Sequence, residues 1–324
     1  MSVSLYHFLS LAALVGATIT YPASAQTWPT KPVRLVVPFP PGGINDVIAR
    51  GIGQRLSEQW GQQVVVDNRG GAGSVIGTEV VAKSPPDGHT LLLISVAHAI
   101  NVTLQRKLPY ESVRDFAPVT YIGWSPFVLV VHPSLPVRSV KELVALAKTR
   151  PDQIAFSSSG SGTSVHLMGA MLGSGTGIKL VHVPYKGIAP AITDLIGGQV
   201  QFSFASPLTS APHVKSGRLR PIAVTSPQRA RTVQELPTIA ESGIPGYRAL
   251  AWYGILAPGA TSKDIVERAS ADIIRTLKLP DLSERLTGQG VELVASGPST
   301  LAEHLKSEIA IWGKAVKEAD AKAD

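Results

Sequence analysis

The chain has no cysteine in its 324 residues. Disulfides, thiolate zinc sites and a lipid-modified cysteine are all excluded. Aromatic residues make up only 6% and charged residues 16%, and so small a charged fraction argues against extended disorder. The basic residues are scattered and no nucleic-acid module is present. The formal net charge of +7 therefore points to small anions and not to nucleic acid. There is no HExxH and no G-x-S-x-G, so no catalytic residue, metal site or cofactor is expected. Long apolar runs are missing too, except near the start. Leu5 to Ile19 is almost wholly apolar but short for a bilayer span. It leads to Ala23-Ser24-Ala25, which fits the small-x-small pattern of signal-peptide cleavage. The expectation is a signal peptide over 1–25 and a periplasmic mature chain from Gln26. An uncleaved anchor is the opposing reading, since only His7, and no Lys or Arg, precedes the apolar core.

What is present is a regular alternation. Val33 to Val37 reads as a buried strand, followed by Pro38-Phe-Pro-Pro-Gly-Gly43 and then a helix. Asn45 and Asp46 suit its start, and Val47, Ile48, Ile52, Leu56 and Trp60 recur at helical spacing. A helix N-terminus just beyond a glycine pair suits an anion, although an ordinary strand-to-helix turn has the same composition. Further apolar runs at Gln63–Asp67 and Thr90–Ser95, with a helix at Ser74–Lys83 between them, imply a parallel sheet. Ligands then bind beyond the carboxyl ends of the strands, at Phe39–Asn45, Asn68–Ser74 and Ser95–Asn101.

A second unit of the same kind follows. Strands are expected at Ile154–Ser157, Leu180–Val183, Val200–Ala205 and Leu219–Thr225. Capping boxes at Ser139–Glu142 and Thr300–Glu303 open two helices. Val119–Val131 and Trp252–Pro258 are long enough to cross between units. The fold class is thus α/β with two lobes, 26–124 plus 250–324 and 125–249. A hinge is expected at Tyr121–Val128 and Ala251–Leu256.

Ser158-Ser-Gly-Ser-Gly-Thr163 has no Lys after its last glycine, so it is not a nucleotide loop. It offers hydroxyls and N–H groups at a helix start, or it is a plain Ser/Gly linker with a Thr cap. Gly71-Ala-Gly-Ser-Val-Ile-Gly77 has one residue too many for GxGxxG. The eight histidines are dispersed, and His98, His166 and His182 read first as structural. Tyr185 either walls the cleft or packs. Three functions compete: a carboxylate-binding protein feeding a permease, a ligand sensor built on the same fold, and an exported α/β hydrolase.

Longer stretches carry a resemblance. Lys31-Pro-Val-Arg-Leu-Val-Val-Pro-Phe-Pro-Pro-Gly-Gly43, Asn68-Arg-Gly-Gly-Ala-Gly73 and Pro86-Asp-Gly-His-Thr-Leu-Leu92 are three of them. His182-Val-Pro-Tyr-Lys-Gly187 and Trp252-Tyr-Gly-Ile-Leu-Ala-Pro258 follow in order. Together they resemble the Bug-type receptors, the periplasmic binding proteins of tripartite tricarboxylate transporters. The resemblance implies a type II Venus flytrap that holds a small carboxylate through main-chain N–H groups, hydroxyls and waters. It implies contacts from Phe39, Pro41, Gly42, Gly43 and Asp46, with Ala97 and His98 close by. From the second lobe it implies Ser158, Ser159, Gly160, Thr163, Tyr185 and Ser206. The implied partners are inner-membrane transporter subunits, and a monomer is expected. Amino-terminal sequencing of the exported protein should read Gln-Thr-Trp-Pro; an intact N-terminus in the membrane fraction would contradict cleavage.

Overall fold

The computed structural model describes residues 28–323. The signal segment and its cleavage site lie outside the described residues. Strands β1 (Val33–Val37), β2 (Val64–Asn68) and β3 (Thr90–Ser95) are parallel, with β1 in the middle. Helix α1 (Ile44–Trp60) joins β1 to β2, and α2 (Val75–Ala82) precedes β3. Helix α3 (Val96–Leu104) starts directly at the end of β3. The sheet then changes character. β4 (Phe116–Pro126) runs through it and on into β5 (Val128–Val131) of a second sheet, with only Phe127 between.

The second sheet holds β6 (Ala155–Ser158), β7 (Val181–Pro184), β8 (Phe202–Ala205) and β9 (Arg220–Val224) beside β5. Their order is β7-β6-β8-β5-β9, with β5 antiparallel to both neighbours. Helices α4 (Val140–Thr149), α5 (Ser164–Thr176), α6 (Ile188–Ile196) and α7 (Pro207–Lys215) connect them. β10 (Leu250–Pro258) returns the chain and lies antiparallel between β3 and β4. Helices α8 (Lys263–Leu277) and α9 (Pro280–Gly288), edge strand β11 (Glu292–Ser296) and α10 (Pro298–Glu318) complete the first lobe. Thr300 lies inside the first turn of α10, because Pro298 already supplies a preset first position.

The uninterrupted apolar strands follow from burial on both faces. Leu35, Leu91, Leu93 and Ile255 point to the side of α1 and α8. Their neighbours Val36, Leu92, Ile94 and Leu256 point to the other side. That second core continues past Trp252 and Trp312 into Leu129, Phe156 and Met168 of the second lobe. α10 packs on both α3 and α5, so one helix touches both lobes.

Where the chain changes sheets, fully buried Thr225 holds both passing segments. Its Oγ1 accepts from Phe127 N–H at 2.9 Å, its N–H donates to Phe127 O at 2.9 Å, and its carbonyl accepts from Ala249 N–H at 3.0 Å. A second anchor is ionic. Glu308 on α10 is buried and pairs with Arg248, and it accepts from Trp312 Nε1 at 2.9 Å. Burial pushes its carboxyl up, against the pull of Arg248. Removing the cation alone leaves a buried charge. Arg248→Ala should cost about 3 kcal/mol in urea unfolding, the low end for a buried pair because Arg248 is partly exposed. Lys263→Ala, which breaks an exposed pair, should cost less than about 1 kcal/mol. Equal costs would contradict this assignment.

Candidate ligand-binding cleft

Between the two sheets lies a cavity of about 700 Å³. Four helices present their first turns to it. The lining takes Gly42, Ile44 and Asn45 at the start of α1; Ser95, Val96 and Ala97 at the start of α3; the cap Thr163 and Ser164 of α5; and the cap Ser206, Pro207 and Leu208 of α7. Unpaired N–H groups and aligned peptide dipoles make each such end electropositive. Among the described residues, none of the lining side chains is charged. Phe39, Val47, Ile100, Leu104 and Phe127 supply apolar wall between the polar ends.

The first turn of α1 is held from below. Gly42 sits at φ +89°, a left-handed conformation that favours glycine. Its N–H donates to Asp46 Oδ2 at 3.0 Å. Asp46, 5% exposed, also accepts from Arg50 Nε at 2.9 Å and from Asn68 Nδ2 at 3.0 Å. The Arg50 hydrogen bond, helped by Gly42 and Asn68, holds this carboxyl below its usual range despite burial. The N–H groups of Gly43, Ile44 and Asn45 have no acceptor among the described residues.

In the second lobe, Thr163 caps α5, and its Oγ1 donates to Gly160 O at 2.8 Å. Behind the loop, Ser158 Oγ accepts from Gly160 N–H at 3.1 Å and bonds His182 Nε2 at 2.7 Å. His166 lies flat on His182, ring centroids 3.8 Å apart, and its Nδ1 accepts from Gly162 N–H at 3.1 Å. Ser206 caps α7, accepting from Thr209 N–H at 3.1 Å.

The family model described as "Tripartite tricarboxylate transporter family receptor" matches residues 48–320. The chain belongs to this receptor family. It is 40% identical over 312 residues to "UPF0065 protein in tcbD-tcbE intergenic region" of Pseudomonas sp. (strain P51), covering 95% of this chain and 93% of the relative. It is 37% identical over 319 residues to "Protein BugT" of Bordetella pertussis (strain Tohama I / ATCC BAA-589 / NCTC 13251), covering 96% and 98%. Among solved structures, "R. palustris Rpa4515 with adipate" matches at TM-score 0.79 and 38% identity, covering 91% of this chain and 99% of that one. "MatC (Rpa3494) from Rhodopseudomonas palustris with bound malate" matches at TM-score 0.75 and 29% identity, covering 89% and 100%.

Within this receptor frame, the thirteen residues singled out from sequence divide by position. Phe39, Gly42, Ala97, Ser159, Gly160, Thr163 and Ser206 line the cavity. Pro41 and Gly43 lie in the same turn without lining it. Asp46 and Ser158 sit behind the two loops and fix them. His98 is 2% exposed, bonds Ser112 O through Nε2 at 2.9 Å and stacks on Tyr110. The Tyr185 hydroxyl donates to Asp194 at 2.8 Å, away from the cavity. Ser95–Asn101 was read as a binding loop, but that it opens a helix, and that the crossing strands line the cavity, went unread in the sequence. The spacing of Val96, Ile100 and Leu104 is the signal that reveals α3.

Burial lowers His98 and His182 to about 4, with the neighbouring His166 adding to the effect at His182. Both are neutral in the folded chain, while the unfolded chain takes up protons below about pH 6.5. Stability is therefore lost as pH falls from about 6.5 to about 4, and these groups add no further loss below that. Urea unfolding at pH 5 should show a loss on the order of 2 kcal/mol from His98 alone relative to pH 7.5. Replacing His98 by Asn should shrink that pH dependence. An unchanged midpoint between the two pH values in the parent chain would contradict it.

Proposed function

We propose that this receptor captures a small carboxylate between its lobes in the periplasm. It then delivers the ligand, as a monomer, to the membrane subunits of a tripartite tricarboxylate transporter. The observation that carries this reading is the pairing of four helix N-termini with a lining that has no charged side chain. An anion there has its lone pairs met by neutral donors, as burial requires. The available N–H groups are those of Ile44, Asn45 and Ser164, which line the cavity, and of Gly43 and Val165 next to them in the chain, none with an acceptor among the described residues. Charge-assisted hydrogen bonds of this kind contribute on the order of 1.5–3 kcal/mol each. The bound adipate and malate of the two structural neighbours support the same ligand class.

The lining also argues against chemistry. Among the described residues it has no His, Asp, Glu, Lys or Arg, so none of its serines has a lining base beside it. Closure follows from the same geometry. A ligand that touches α1 and α5 together favours the state in which both reach it. The hinge strands Tyr121–Val128 and Ala251–Leu256 absorb the motion.

Thermal-shift screening against mono-, di- and tricarboxylates tests the reading, since a ligand at 100-fold its Kd adds about 2.7 kcal/mol. In calorimetric titrations with the best acid, Gly43→Pro should abolish binding by removing an N–H and bending the turn. Ser158→Ala should weaken it less, through the loop it steadies. Lys186→Ala, exposed and outside the lining, should change it little. If Lys186→Ala were the most damaging, the anion would be held by an ion pair and this mechanism would fail.

A further inference from the structure

The floor of the cleft carries three hydroxyls in strands that are otherwise nearly all apolar. Ser95 ends β3, Ser125 lies near the end of β4, and Tyr253 lies on β10. All three line the cavity, yet they are only 7%, 5% and 3% exposed. The register brings them together. Tyr253 stands directly opposite Ser95 on one side and Gly123 on the other, and Ser125 stands opposite Ala251, two residues from Tyr253. Neighbouring strands lie about 4.8 Å apart, so Tyr253 on the middle strand stands between the two serines and the set spans roughly 10 Å of the floor. Ala251, opposite Ser125, also lines the cavity and leaves room beside the hydroxyls.

The protein itself supplies these hydroxyls with few partners. Ser95 occupies the cap position of α3 but makes no capping bond, whereas Ser139, Thr163, Ser206 and Ser262 all cap their helices. Ser125 Oγ is buried with no hydrogen-bond partner among the described residues. The Tyr253 hydroxyl has only the Ser125 hydroxyl near it as a side-chain partner among the described residues. Burial pushes its phenol up to about 12, with the nearby Ser125 hydroxyl acting in the opposite sense, so it stays protonated and able to donate. Buried hydroxyls are normally satisfied, and a set facing a cavity is satisfied by what enters it.

We propose that Ser95, Ser125 and Tyr253 form a second subsite that reads a hydroxyl group on the ligand, which makes hydroxy-substituted carboxylates the preferred class. This rests on the carboxylate reading above. A carboxylate is acceptor-only. Neutral hydroxyls present lone pairs as well as protons, so the group that completes them both donates and accepts. A ligand hydroxyl does both, whereas a second carboxylate accepts from them but donates nothing back and a bare methylene does neither. Ser125 and Tyr253 lie on the crossing strands, so the group they read touches the hinge itself. Ligand identity is thereby coupled to closure.

The test uses pairs of acids differing by one hydroxyl: succinate and malate, propionate and lactate, benzoate and para-hydroxybenzoate. Each is titrated calorimetrically into the parent chain and into Ser125→Ala, Tyr253→Phe and Ser95→Ala, with folding checked by thermal unfolding. In at least one pair the hydroxylated acid should bind the parent roughly fivefold to tenfold tighter. That ratio should fall to within about twofold in Ser125→Ala and Tyr253→Phe. Ser95→Ala, which disturbs no capping bond, should also reduce it. A ratio retained in all three variants would overturn the subsite alone, as would a parent chain that binds acids but prefers the unsubstituted member of every pair. Failure of every acid to bind would overturn the carboxylate reading and the subsite with it.

Discussion

A carboxylate taken into this cleft, as proposed, must have its charge met, and among the described residues the lining holds no cation to meet it. Much of the architecture answers that constraint. Parallel strands followed by helices put helix N-termini at one edge of each sheet, and the two sheets turn those edges toward each other. α1 and α3 contribute from one side, α5 and α7 from the other. Each helix end contributes modestly by itself. The convergence of four on one volume is what makes neutral backbone a credible counterpart to an anion.

The second layer is polar and well satisfied. Asp46 is ionised and buried, and it uses Gly42, Arg50 and Asn68 to hold the α1 turn. Ser158, His182 and His166 do the same for the α5 loop with neutral groups. Charged residues near the cleft are thus spent on positioning loops. The layer exposed to the cavity keeps its donors unpaired, which is the arrangement a binding site needs before its ligand arrives.

Much of this was legible in the sequence. The apolar runs of β1 and β3 and the helical spacing from Val47 to Trp60 gave strand and helix without ambiguity, because burial on both faces leaves few polar interruptions. α3 was hidden because Ser95, His98 and Asn101 make its start look like a loop. α7 was hidden by Pro207 and Pro212, although the first of these merely presets its opening turn. Side-chain direction was harder still. Ser158 and Tyr185 sit at strand ends, where one step of register decides between cavity and backing. Tyr185 turns to Asp194 and Ser158 to His182. The crossing strands looked purely mechanical, yet they bring Ser125 and Tyr253 into the cavity.

The most direct test of the central claim is amide NMR of isotope-labelled protein with and without a saturating carboxylate found in the thermal-shift screen. The expected result is that the largest shifts fall on the backbone N–H groups of Gly43, Ile44, Asn45, Ser164 and Val165, moved as amides are when they donate to an anion. Large changes at the side chains of Lys186, Arg50 or Arg69, with those amides unmoved, would contradict it.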